Sequence, residues 1–250
     1  MTAGGLSDLP SSLDRAISGD RLGGYDAAAG GDRALARQLY VWDRDVSLAI
    51  MADIAILEVA FRNALHDAFS RRWGQRWYSS RDVVLDDRSI KQLASAWKQL
   101  PVGMRQNPDG SLVPGKLVAH CMFGFWVNLL DAGDHFGEAP RRIRANYNDL
   151  WREAGHAAFR GGRAEARRQG ENYTRAWAHS VVKNINTLRN RVAHHEPLIN
   201  GFPLPGQQAR MTAMEGHEEC LKLARMIDRD LATWLATNTR VPTLLASRPH

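Results

Sequence analysis

Apolar residues recur at three- and four-residue steps along most of the chain, the pattern of helices that each bury one stripe. From Asp32 to Arg72 there is neither proline nor glycine, and Val46, Ile50, Ile54, Leu57, Phe61 and Leu65 keep the period. This predicts one long helix, or two with a break near Trp42–Asp43. Asp86 to Leu100 repeats the pattern through Ile90, Leu93 and Trp97, and Pro101 stops it. Gln106 to Gly115, with two prolines and two glycines, predicts a loop. Lys116 to Leu130 is apolar on nearly all sides, as a central core helix is.

Gly133 to Gly137 is a connection, after which Pro140 opens a short basic helix from Arg141 to Trp151. The Arg- and Gly-rich stretch from Arg160 to Gly170 predicts a solvated turn. Asn172 to Ala193 is helical, with Val181, Ile185, Leu188 and Val192 as its buried stripe. Glu196–Pro197 ends it, because a residue before proline avoids the helical region. Leu198 to Gly206 predicts a loop, and Gln208 to Leu235 the last long helix. Trp126, Trp151, Trp177 and Trp234 are expected in the core. There is no convincing alternating run of five or more residues and no internal repeat. The expectation is an all-α single domain over residues 1–250, a bundle of about six to eight helices around long central ones. Residues 1–12 and the tail 241–250 are expected to be irregular.

Composition narrows the class. A chain of 250 residues that is 44% hydrophobic is too apolar to be disordered. At this length it buries about 70–75% of its unfolded surface and folds without disulfide or metal. Cys121 and Cys220 stand far apart with no CxxC partner, which argues against a disulfide framework or structural zinc. Residues 1–12 lack the basic and apolar regions of a secretory signal. The longest apolar stretch, Leu48 to Phe61, is broken by Asp53 and Glu58 and is too short to cross a bilayer. These features predict a cytoplasmic protein with no membrane partner. The net charge is +6, and 28 of the 33 basic residues are Arg. A GC-rich genome also produces an Arg excess, so the charge favours a polyanion only in a general way.

The conspicuous polar cluster is Arg189-Asn190-Arg191-Val192-Ala193-His194-His195-Glu196. With Leu188 and Val192 inward, Asn190 and His194 are neighbours on another face, and Arg189 points about 140° away from His194 on an ideal helix. Arg189 and His194 meet if the last turn unwinds before Pro197, or if a second subunit brings its own copy. Such a pair suits phosphodiester cleavage without metal. Histidine can move the proton of a ribose 2′-OH or of the leaving oxygen, and an arginine fork can hold phosphate oxygens as charge builds. The bland alternative is that these side chains cap the last helix carbonyls, where cations are favoured.

Glu58, Arg62 and His66 are spaced by four and share a helix face, with Asn63 adjacent. They form either an internal Glu58–Arg62 pair or a supporting layer that orients the catalytic Arg or His. Arg141, Arg142 and Arg144 are candidate contacts to an RNA backbone, or a solvated face. His66–Asp67 and His194–His195–Glu196 each lack further ligands, so neither predicts a metal site. No P-loop, GxGxxG or GxSxG is present.

Arg189-Asn190, three residues, then His194 resembles the Arg-Asn-x-x-x-His signature of the HEPN superfamily. The string Leu188 to Pro197 resembles the Abi-like (abortive infection) family within it. Leu39-Tyr-Val-Trp-Asp-Arg-Asp45, Ile56 to Asn63, Gly115 to Ala119 and Phe123-Gly-Phe-Trp126 agree in order. The resemblance implies a helical domain that dimerises through the Arg189–His194 helix. Paired motifs would then form a metal-independent, cofactor-free endoribonuclease site. Arg189 and His194 match the catalytic pair, Asn190 the intervening polar position and His195 the second histidine. It further implies an RNA substrate and the role of a toxin or phage-defence effector, with an antitoxin or phage trigger as partner. A non-catalytic nucleotide- or RNA-binding interaction module is the alternative within the superfamily.

Overall fold

The longest run of the chain without proline or glycine, Asp32 to Trp73, makes its longest helix. The computed structural model describes residues 16–250, so the irregular segment expected at 1–12 lies outside the described residues. Helix α1 (Gly19–Ala28) starts at Ser18, whose hydroxyl accepts the Arg21 N–H. Helix α2 (Arg33–Trp73) is continuous through Trp42–Asp43. The Asp32 carboxylate starts it by accepting the N–H groups of Ala34 and Leu35 at 2.8 and 3.1 Å. At 1.5 Å per residue it is about 60 Å long. Its predicted stripe is fully buried, from Val46 through Ile54 to Leu65.

The described residues fall into two compact units. One holds residues up to Asp53 with Thr187–Glu218 and Asn238–His250; the other holds Ile54–Asn186 and Glu219–Thr237. In the second unit, α3 (Asp87–Lys98) is capped by Asp86, which accepts the Ser89 N–H at 2.8 Å. The core there is aromatic. Trp77 lies 4.9 Å from Phe69 and stacks with Phe125, while Phe61 packs between Phe123 and Phe159.

Several predicted segments divide more finely than their periodicity suggests. The loop expected over 106–115 narrows, because α4 (Val102–Gln106) precedes it and α5 (Val113–His120) takes Pro114 into its first turn. The helix expected over 116–130 is two, α5 and α6 (Phe123–Asn128), joined by extended backbone at Cys121 and Met122. That bend re-aims α6 so that Phe123 meets Phe61 and Phe125 meets Trp77, a packing gain without a local signal.

The basic helix expected from Arg141 is instead a hairpin. His135–Phe136 (β1) pairs antiparallel with Ile143–Arg144 (β2), and helix begins only at α7 (Tyr147–Glu153) behind its cap Asn146. Gly133 permits the close approach: a Cβ on it would lie 2.0 Å from the Ala145 carbonyl oxygen. The turn expected over 160–170 contains α8 (Gly162–Arg168), ordered by a buried ion cluster described below.

Helix α9 (Arg175–Ala193) follows its prediction, with Val181, Ile185, Leu188 and Val192 buried. In the first unit, Phe202–Pro203 (β3) pairs antiparallel with Arg210–Met211 (β4). The helix expected over 208–235 therefore starts later and breaks once, as α10 (Ala213–Ile227) and α11 (Arg229–Asn238). Thr212 and Glu215 form a reciprocal capping box at the start of α10. Asp228 caps α11 by accepting the N–H groups of Asp230 and Leu231. The tail expected to be irregular carries α12 (Val241–Ala246), where the Leu244 carbonyl accepts the Trp42 indole N–H at 2.6 Å and Val241 is fully buried. Six residues are too few for periodicity to declare a helix. Trp126 is buried as expected, but Trp234 leaves 51% of its surface exposed. The architecture is an all-α bundle with two minor two-stranded ladders. No helix of the described residues is long and apolar enough to cross a membrane.

Candidate functional site

The last turn of α9 stays helical further than the sequence requires. The His194 N–H still donates to the Asn190 carbonyl at 3.0 Å, so Asn190 and His194 keep their expected shared face. Both are exposed, while Leu188 and Val192 are buried beneath them. Because the helix is intact to this point, Arg189 and His194 leave the axis about 140° apart. The unwinding that would bring them together within one chain does not occur before His195. Arg189 is half-buried, and its Nη1 lies 3.5 Å from Oδ1 of Asn190.

His195 ends the helix. Its φ is +57°, the left-handed region, and two backbone bonds close around it. The His195 N–H donates to Val192 O and the Glu196 N–H to Arg191 O, each at 2.9 Å. This is the paired Schellman closure, which ordinarily places glycine where His195 stands. The Glu196 carboxylate accepts the Arg191 guanidinium across the same turn. An L side chain in this conformation costs on the order of 1 kcal/mol. His195→Gly is therefore expected to raise unfolding stability by about 0.5–1 kcal/mol, read as a higher urea midpoint at unchanged slope. A lower midpoint would show that the imidazole repays the strain through its own contacts.

Beside this turn lies a cavity of about 470 Å³, its wall formed by Val192, Ala193 and His195 with residues of α1 and α2. Asp43 lines it and is 3% exposed. Its carboxylate accepts the Tyr25 hydroxyl at 2.7 Å and the Leu198 N–H at 3.1–3.2 Å, which ties α1, α2 and the segment after Pro197 to one side chain. Burial pushes the Asp43 pKa up against these two hydrogen bonds. Burial, reinforced by the Asp43 charge, raises the Tyr25 phenol so that it remains a donor. Arg21 and Arg44 also line the cavity. Asp43 and Tyr25 stand in no motif that marks them as site residues. The available signal was a carboxylate at position 43, three before Val46 and so in register with the buried stripe of α2.

The remaining candidates lie in the other unit. Glu58 is half-buried on α2. The Arg62 guanidinium reaches Asn63 Oδ1 at 3.4 Å and the Ala119 carbonyl at 3.5 Å. His66 accepts the Trp77 indole N–H on Nδ1 at 3.1 Å, and burial lowers its pKa, so it serves as a neutral acceptor in the core. Arg141, Arg142 and Arg144 are exposed on the β1–β2 hairpin, where Arg144 also donates to the Gly133 carbonyl at 3.3 Å.

Glu165 of α8 is 4% exposed and sits between two guanidinium forks. Arg168 donates at 3.0 and 2.6 Å and Arg225 at 3.1 and 3.2 Å, with the Gln169 amide at 2.9 Å. Burial alone would raise this carboxyl, but the hydrogen bonds from Arg168 and Arg225 outweigh it and hold the pKa at about 2.

A protein-family model described as Abi-like protein matches residues 32–200, well over half of the chain. The matched span runs from the start of α2 past the turn that carries His194 and His195. No curated protein and no solved structure matches the chain.

Proposed function

This chain belongs to the Abi-like protein family, and we propose that within it the protein is a metal-independent endoribonuclease of the HEPN type. The observation that carries this reading is the last turn of α9, which offers Arg189, Asn190 and His194 at a helix end held rigid by the Schellman closure and the Arg191–Glu196 pair. A ribose 2′-oxygen attacks the adjacent phosphorus and the bond to the 5′-oxygen breaks. The 2′-OH proton leaves to a base, and the 5′-oxygen takes a proton from an acid. The products are a 2′,3′-cyclic phosphate and a 5′-hydroxyl. His194 is the acid or base, Arg189 neutralises the equatorial oxygens of the phosphorane, and Asn190 orients them.

The angular separation of Arg189 and His194 on an intact helix supports a homodimer through this helix, in which each site draws on both copies. In that arrangement Arg189 of one copy and His194 of the other act on the same phosphate. His195, Glu58, Arg62 and Asn63 are read as supporting residues. The exposed Arg141, Arg142 and Arg144 are read as contacts to the RNA backbone. An RNA-cutting member of an abortive-infection family acts in the cytoplasm as a toxin or phage-defence effector, restrained by an antitoxin or released by a phage trigger.

Purified protein incubated with total RNA in EDTA tests the reading. The expected result is discrete cleavage by wild type with 2′,3′-cyclic phosphate ends, and none by Arg189→Ala/His194→Ala. RNA binding without cleavage, retained in that variant, would instead favour a non-catalytic RNA- or nucleotide-binding module. Cleavage that EDTA silences would point to a metal-dependent hydrolase.

A further inference from the structure

The cavity beside the α9 turn combines features that no single bland ligand would satisfy. We propose that it is a nucleotide subsite, with the base held against Tyr40 and Leu48 over the Asp43 carboxylate and the phosphate held by Arg21 and Arg44. The inference deepens the ribonuclease reading by placing one nucleotide of the substrate against His195, one residue along the chain from His194.

The cavity volume, about 470 Å³, lies in the range of roughly 300–1,000 Å³ that takes small organic ligands. Its walls are largely apolar, and Tyr40 meets Tyr25 edge to face at 5.3 Å, which leaves a ring system suited to stacking a flat heterocycle. Asp43 is a buried carboxylate that accepts from a phenol and a backbone N–H, with no cation among the described residues bonded to it. A carboxylate offers about four lone-pair sites, so it retains capacity to accept the N–H of a base. Arg21, half-buried one helical turn before Tyr25, and Arg44, exposed and paired with Asp45, supply positive charge. An apolar peptide would leave the Asp43 acceptor and Arg21 unanswered. An inorganic anion would leave the apolar walls dry and unfilled. Glu196, the other carboxylate lining the cavity, is taken by Arg191, which leaves Asp43 a poor cation ligand. A nucleotide answers all three demands: flat ring, N–H donor and anion.

The test is calorimetric titration of the full chain with AMP, GMP, CMP and UMP in EDTA, alongside inorganic phosphate. At least one nucleotide is expected to bind, more tightly than phosphate. Arg21→Ala/Arg44→Ala is expected to weaken it by about 10-fold or more, the scale of one charge-assisted hydrogen bond. Leu48→Trp, at a residue 62% exposed, is expected to block binding at unchanged melting temperature. The proposal is overturned if no mononucleotide binds, if phosphate alone binds as tightly, or if both variants bind as wild type does. Binding does not require turnover. Nucleotide binding with these dependences but no RNA cleavage sustains the subsite and defeats the ribonuclease reading. RNA cleavage with an unchanged cut pattern in Leu48→Trp does the reverse.

Discussion

Replacing His194 with alanine is expected to lower RNA cleavage by about 10²–10⁴-fold, the usual contribution of a positioned general acid or base. The fold should not notice. The side chain is exposed, and the helix bond at this position runs from the backbone N–H to Asn190 O, which alanine keeps. An unchanged melting temperature with lost cleavage separates chemistry from stability. Arg189→Ala is expected to behave alike, with the loss falling on kcat because the phosphorane carries more charge than the substrate. The two variants together test the composite site. If Arg189 of one copy works with His194 of the other, a mixed dimer of Arg189→Ala and His194→Ala protomers contains one intact pair. A random mixture should then regain about a quarter of wild-type activity, since half the dimers are mixed and half their sites whole. If each chain completes its own site, the mixture stays dead and the dimer part of the reading fails.

Replacing Glu165 with glutamine is expected to cost about 3 kcal/mol, because the Arg168 and Arg225 forks would lose the charge of the buried carboxylate they share. At about 2–4 °C per kcal/mol for a chain of this size, the melting temperature should fall by roughly 6–12 °C. The pH dependence gives a second readout. The Glu165 carboxyl titrates at about 2 in the folded chain against 4.5 as its ordinary value. Its contribution to stability is therefore complete above about pH 4.5 and disappears as the pH falls through 2. The gap between wild type and Glu165→Gln should close over that window. A constant gap across it would mean that Glu165 acts through packing rather than charge.

The two predictions differ in how far they were legible beforehand. His194 and Arg189 stand in a short string that a sequence reader meets directly. Glu165 sits in a stretch whose arginines and glycines suggest a solvated turn, and only Arg225, sixty residues on, turns it into an ordered helix. The same division runs through the fold. The continuity of α2 and the buried stripe of α9 follow from periodicity, because a stripe sustained over several turns has only one way to be buried. The breaks at Cys121–Met122 and Asp228 escape periodicity, since each occupies one or two residues and is placed by what packs on either side. The β1–β2 hairpin escapes it too, because a two-residue ladder leaves no alternation to read. The Thr212–Glu215 capping box was readable and shows that a reciprocal side-chain cap outweighs an unbroken apolar pattern upstream of it.

The sequence by itself determined the all-α class, the two long helices and the string that carries Arg189, Asn190 and His194. These are local properties, set by which residues recur every third or fourth position and by which stand side by side. Only the tertiary structure decided that α9 remains wound through His194, so that Arg189 and His194 diverge, and that Asp43 becomes the buried acceptor at the cavity beside His195. The physical reason is distance along the chain. The Asp43 carboxylate is held by a hydroxyl 18 residues before it and an N–H 155 residues after it, and no local pattern encodes that meeting.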